Sequence, residues 1–496
     1  MNRKTGCMLL CLALLAGIFI TPNNRTYAAD GTAYEYEGYI YDYWGNSQKT
    51  PSAFTLATMI DDGSLTGFSF GSIDDVCTSR DGRIFLCDKT NGRVNIFDSN
   101  GLFLQSVKVL KVGEGKIALN PDGTQVTLVS PSGAWFHEKT NELYIADSTN
   151  KNVYVLDGTT YYLTRTITAP EDMTGVTEYA PSKVTVDNAG RIYIVVASSY
   201  EGIVELNEDG TFSGYFGVNE PRINLVQYFW KSIATDTQKE KMGKTYAPGF
   251  TNVALDSEGF VYAVTKETAA STKLFRLNSN GENVIRSEGF DLIGDLKTMR
   301  TESGESCFID VSVTDYGVAA VLDETRGRIF LYDFDGNILN VFGGYGYSKG
   351  QFRKPTSLCW LGNNLIVTDT ELKCAYILTP TKFGLAALNA SEEYYNGRWE
   401  NATKYFEECI SLNANYEVAY VGLGKNLLMQ DKFEDAMYYF KLGNARDYYS
   451  KAYNGYRGEQ IRSHFWVIAL VFVTLITLLV WSEVRYHKKN RKGGDE

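Results

Sequence analysis

A single phrase recurs along most of this chain, and a recurring phrase restricts the fold more than composition can. An apolar strand runs into a Gly turn, a second apolar strand often ends in Asp, and a third and fourth strand follow across polar turns. The first copy reads Val76-Cys77-Thr78, Asp81-Gly82, Ile84 to Asp88, Asn91 to Asp98, then Asn100-Gly101-Leu102-Phe103-Leu104. Further copies centre on Leu143 to Asp147, Arg191 to Ile194, Val261 to Val264, Ala320 to Asp323 and Leu365 to Asp369. Four-stranded units of this kind stack radially, because each buries its faces only against its neighbours. The expected fold is mainly β: a six-bladed β-propeller over residues 36–379, then a small α-helical module and one transmembrane helix.

The sixth copy stops after its third strand, near Ala375-Tyr376-Ile377-Leu378, and leaves an open sheet edge that something must pair. Tyr36 to Tyr43 alternates Tyr39, Tyr41 and Tyr43 with Ile40 and Asp42, the period of a strand, and is expected to close the ring as the outermost strand of the last blade. Two insertions interrupt the repeat, Lys108 to Ser130 and Val218 to Pro248, the second carrying an apolar run from Leu225 to Trp230.

A second period follows. Trp399, Ala402 and Phe406 return as Phe433, Ala436 and Phe440, each 34 residues on, as in paired helices whose small residues admit close approach. The helical module is placed at 383–462, with Tyr448 to Arg462 as its last helix. It either docks a partner or serves as a stalk between propeller and bilayer.

Two apolar segments give an address. Arg3 and Lys4 precede an apolar run from Met8 to Ile20, and Thr26-Tyr27-Ala28 suits signal-peptidase cleavage, so 1–28 reads as a signal peptide. Cys11 lacks the small residue expected before a lipidated cysteine. Phe465 to Trp481 has only Thr474 and Thr477 as polar residues and is followed by Arg485, Lys488, Lys489, Arg491 and Lys492. That is a membrane helix with a basic cytoplasmic tail, 482–496, and an N-terminal part outside the cell, in the plasma membrane.

The motifs Asp88-x-x-Asn91-Gly92-Arg93-Val94, Asp147-x-x-Asn150, Asp323-x-x-Arg326-Gly327-Arg328-Ile329 and Gly350-Gln351-Phe352-x-Lys354-Pro355 resemble NHL-repeat propellers, and the helical module resembles tetratricopeptide repeats. The resemblance implies a partner-binding fold. Its similarity to anchored NHL proteins of Gram-positive-type bacteria implies company with a membrane protein complex, a solute transporter for carbohydrates among them.

Charge narrows the chemistry. A net charge of -11 and no basic block in the exported part argue against nucleic acid. Three histidines, His137, His464 and His487, cannot assemble a His pair or a zinc site in one domain, since two flank or follow the membrane segment. Aligning the copies places Asp75, Gly133, Lys183, Asn252, Asp310 and Ser357 in one column at the channel mouth, with Asp74 in the column before. This polar ring is the candidate binding site.

The competing enzymatic reading is a lactonase-like hydrolase, whose family resemblance implies a divalent cation such as Ca2+ on Asp75, Asp310 and Asn252. Ile309 in the ligand column and Lys183 in the ring weigh against it, so no cofactor, metal or catalytic residue is assigned. The recurring Asp88, Asp147, Asp323 and Asp369 are read as structural carboxylates holding loop amides. Aromatic content of 14% supplies candidate platforms for a sugar or peptide: Tyr39, Tyr41, Tyr43, Trp44, Tyr228, Trp230, Tyr345 and Tyr347. Outside the signal segment lie Cys77, Cys87, Cys307, Cys359, Cys374 and Cys409, either buried thiols or, for Cys77 with Cys87, a disulfide. The function expected is that of a membrane-anchored extracellular binding or scaffold protein, with a glycan or an envelope protein as ligand.

Overall fold

Six antiparallel sheets stand around one axis, and their inner strands touch in a closed ring: Ile73–Thr78, Pro131–His137, Pro181–Val186, Asn252–Leu255, Phe308–Val313, Pro355–Leu361 and back to the first. The computed structural model describes residues 34–492 apart from 66, 68, 174–177, 197–200, 218–248, 268–271, 286–291 and 296–303. The signal segment, Tyr228 and Trp230 lie outside the described residues.

Second strands such as Ile84–Asp88 and Ile192–Val196 are buried at every position. Both faces of a blade pack against neighbouring blades, so strict polar-apolar alternation gives way to continuous apolar runs, whose burial contributes about 1.5–3 kcal/mol per large side chain. Phe85 and Phe136, for example, stack across blades one and two with centroids 5.5 Å apart.

Closure differs from expectation. The last blade, Pro355–Leu361, Asn364–Asp369 and Cys374–Pro380, takes Phe54–Ile60 as its outer strand, with Phe54 opposite Pro380 and Ile60 opposite Ala375. Tyr36 to Tyr43 is not that strand. Its core, Gly38–Tyr41, meets the outer strand of blade five, Ile338–Gly343, with Tyr39 opposite Val341, and Ser47–Thr50 pairs outside it, giving a six-stranded sheet. The reason is polar. The Tyr39 and Tyr41 hydroxyls donate to Asp295 Oδ1 at 2.5 and 2.6 Å, and Arg328 reaches Asp295 Oδ2 at 2.6 Å, partners found only beside blade five. Phe54 and Ile60 bring apolar side chains to the gap in blade six instead, where both are buried.

Six helices follow: α1 (Lys382–Tyr395), α2 (Trp399–Leu412), α3 (Glu417–Met429), α4 (Phe433–Leu442), α5 (Arg446–Ser463) and α6 (Phe465–Lys492). Thr381 caps α1 by accepting from the Gly384 amide at 3.1 Å, and its hydroxyl donates to the Ser52 carbonyl at 2.7 Å. A Cβ on Gly384 would sit 1.9 Å from the Ala53 carbonyl oxygen, so only glycine lets α1 lie on the propeller. Phe406 packs where Gly422 leaves room, as Phe440 does on Gly424 and Phe433 on Gly455. Phe383, Ala402, Phe406, Cys409 and Tyr416 share one core with Ile40, and Ile338 packs against it, so the helices are docked on blade five.

The apolar stretch Phe465–Trp481 lies within α6, which is long and apolar enough over Phe465–His487 to cross a membrane, and its apolar window is not buried among the described residues. The six described cysteines are free. In the first hairpin Cys77 faces Phe85 and Cys87 faces Asp75, so the register sets the two thiols diagonally, and burial raises both thiol pKa values.

Candidate functional site

The channel column exists as a structural level. Pairing between inner and second strands slips by one residue just before it in five blades, at Ile73/Asp75, Pro131/Gly133, Pro181/Lys183, Phe308/Asp310 and Pro355/Ser357. Such a bulge turns the next side chain off its regular course. In blades one, five and six it sends that side chain toward the neighbouring blade.

Asp75 Oδ2 accepts from the Ala134 amide of blade two at 2.7 Å, Asp310 Oδ2 from the Leu358 amide of blade six at 2.7 Å, and Ser357 Oγ from the Val76 amide of blade one at 3.3 Å. Ser357 also donates to Asp75 Oδ1 at 2.9 Å. Blades five, six, one and two are therefore stapled in sequence. Between blades two and three the staple is a close approach: a Cβ on Gly133 would lie 2.4 Å from the Ser182 carbonyl oxygen. Asn252 turns its Oδ1 to the amide of Val253 at 2.6 Å. Asp74, in the bulge, takes Ser72 Oγ at 2.8 Å and Lys89 Nζ at 2.6 Å.

Lys183 crosses to Asp75 Oδ1 in an ion pair and donates to the Asp74 carbonyl at 3.3 Å. Burial depresses its ammonium, but Asp75 and Asp310 outweigh that and hold its pKa above the ordinary value. Asp310 moves up, to about 7, first because it is buried and then because Asp75 is near, with Lys183 opposing. The donor set does not fit a divalent cation: the ammonium already sits on Asp75, and both carboxylates are spent on backbone amides.

The four recurring carboxylates are wholly buried. Asp88 accepts from the Gly71 amide at 3.0 Å, Asp147 from Val129 at 2.7 Å, Asp323 from Cys307 at 2.8 Å and Asp369 from Arg353 at 2.6 Å. Each fixes the segment leading into its own blade's inner strand. Asp147, Asp323 and Asp369 also hold the turn that follows, through Asn150, Thr325 and Leu372.

Of the aromatic candidates, Tyr43, Trp44, Tyr345 and Tyr347 are exposed, whereas Tyr39 and Tyr41 are half-buried on Asp295 and offer no open platform. Arg353 lies between Tyr345 and Tyr347, 4.4 and 4.2 Å from their centroids.

Sequence reasoning missed a second buried ammonium. Lys425 of α3 pairs with Asp335 Oδ2 at 3.2 Å, and Asp333 beside it rises to about 6 through burial, with Asp335 adding to the rise and Lys425 opposing it. Tyr416 donates to the Leu339 carbonyl at 2.8 Å, in the outer strand of the same blade. The available signal was a lysine inside the apolar run Val421 to Met429.

No family model matches this chain, and no curated protein matches it. Among solved structures it is similar to virginiamycin B lyase from Staphylococcus aureus, at 10% identity and TM-score 0.38, over 66% of this chain and 99% of that one. It is also similar to hydrazine synthase of Kuenenia stuttgartiensis, at 10% identity and TM-score 0.39, over 63% and 96%. A Bacteroides thetaiotaomicron protein of unknown function gives 12% identity and TM-score 0.40, over 70% and 91%.

Proposed function

We propose that this chain is a recognition protein: a propeller held outside the cell by one membrane helix, binding a glycan or an envelope protein, and accessory to a membrane complex such as a carbohydrate transporter. The observation that carries the reading is the use made of the channel ring. Asp75, Asp310 and Ser357 are occupied in joining blades, so the polar residues most suited to chemistry work as mortar. The exposed helix Phe465–His487 supports the anchor, and the motif resemblances to NHL and tetratricopeptide repeats support partner binding. The test is crosslinking of the full chain in native membranes, followed by affinity purification and a glycan array. A reproducible partner or glycan supports recognition; a chain that returns neither is a spacer.

A further inference from the structure

The strand ends of the propeller are not equivalent. The helical module grips the turn Asp333–Asn337, at the end of the blades where inner strands finish, through Lys425, and the strand that follows it through Tyr416. The opposite end, where inner strands begin, carries the turn after Asp88, the insertion from Lys108 and the loop Gly343 to Lys354. That end over blades six and one is free of the helices.

A stripe runs across it. Tyr345 and Tyr347 hold Arg353 between exposed rings. Lys354 follows, its carbonyl accepting from Thr370, whose hydroxyl donates to Ser72 Oγ at 2.8 Å, while the Ser72 carbonyl accepts from the Lys89 amide. Lys108 Nζ then donates to the Asn91 carbonyl at 3.0 Å on the turn that Lys89 begins. Two carboxylates border the stripe, Glu371 on Arg353 at 3.2 Å and Asp74 on Lys89 at 2.6 Å. Lys354 and Lys108 are exposed and form no ion pair among the described residues. In a chain of net charge -11, this is a local reversal of sign beside two exposed aromatic rings.

We infer that this stripe binds an acidic polysaccharide, its carboxylates on the lysines and its sugar faces on Tyr345 and Tyr347. The inference rests on the recognition reading and names its ligand class and face. Carboxylate-bearing sugars match both halves of the stripe at once; a neutral glycan leaves the lysines unused.

The experiment uses the full chain in detergent micelles, with immobilised polygalacturonate and its fully methyl-esterified form. The acid polymer is expected to bind at least about ten-fold more tightly than the ester, and to weaken as salt rises from about 50 to about 300 mM. Lys354→Glu combined with Lys108→Glu is expected to lose about ten-fold or more, and Tyr345→Ala with Tyr347→Ala about five-fold. Arg80→Ala, on a turn at the helix-bearing end, keeps wild-type binding, and unchanged melting temperatures exclude misfolding. Equal binding of acid and ester, equal loss in Arg80→Ala, or tighter binding of an oligonucleotide overturns the inference. If polygalacturonate fails while a crosslinked membrane partner is still captured, the stripe assignment falls and recognition stands; if both fail, both fall.

Discussion

Lys183 and Lys425 present the same problem in two places. Each is a buried ammonium facing two aspartates, one bonded directly and one left over: Asp75 and Asp310 in the channel, Asp335 and Asp333 under the helices. In both places the second carboxylate is pushed up, first by its own burial and then by the neighbouring aspartate, with the lysine opposing. The uses differ. The channel cluster fastens blades to each other; the helical cluster fastens a second module to blade five.

The most severe break is Lys183→Met. It leaves Asp75 and Asp310 buried without a cation and is expected to cost about 3–5 kcal/mol, read as a fall in thermal midpoint of the whole propeller. Lys425→Met should cost less, about 2 kcal/mol, because Asp335 keeps some solvent. Its effect should be local, with limited proteolysis cutting between Pro380 and Tyr416 while the blades stay protected. Uniform loss of protection in both variants would erase the distinction between the clusters.

Titration sharpens it further. A carboxyl raised in the folded state binds more protons there than when unfolded, so its contribution to stability falls as pH rises through the interval between the two values. For Asp310 that interval runs from 3.8 to about 7, and for Asp333 from 3.8 to about 6. Asp310→Asn should flatten the decline over the wider window and Asp333→Asn over the narrower one, as measured by thermal midpoints against pH. Identical slopes before and after substitution would contradict the raised values. The smallest effect is Ser357→Ala, which removes one bond to Asp75 and one acceptor for Val76, about 1 kcal/mol.

Legibility followed the range of the interaction. The blade count was readable because each copy carries its own turn chemistry, and the column from Asp75 to Ser357 was readable because the bulge recurs at one register. What those residues do was not, since Asp75 bonds an amide 59 residues on and Ser357 one 281 residues back. The closing strand was misplaced for the same reason. Tyr39 and Phe54 both sit in strand-like sequence, and only Asp295 and the open edge of Cys374–Pro380 distinguish them. Asp333 carried no sign of Lys425, which lies on a helix of another module.

Alone, the amino-acid order settled the six blades, the helical region after them and the long apolar helix, because strand period, glycine turns and an apolar run are local properties written within a few residues of one another. The assembled structure decided which edge closes the ring, that the polar ring is joinery, and that the helices lie on blade five. Those outcomes depend on burying charges and hydrogen-bonding groups together, and the partners that make burial tolerable come from distant parts of the chain.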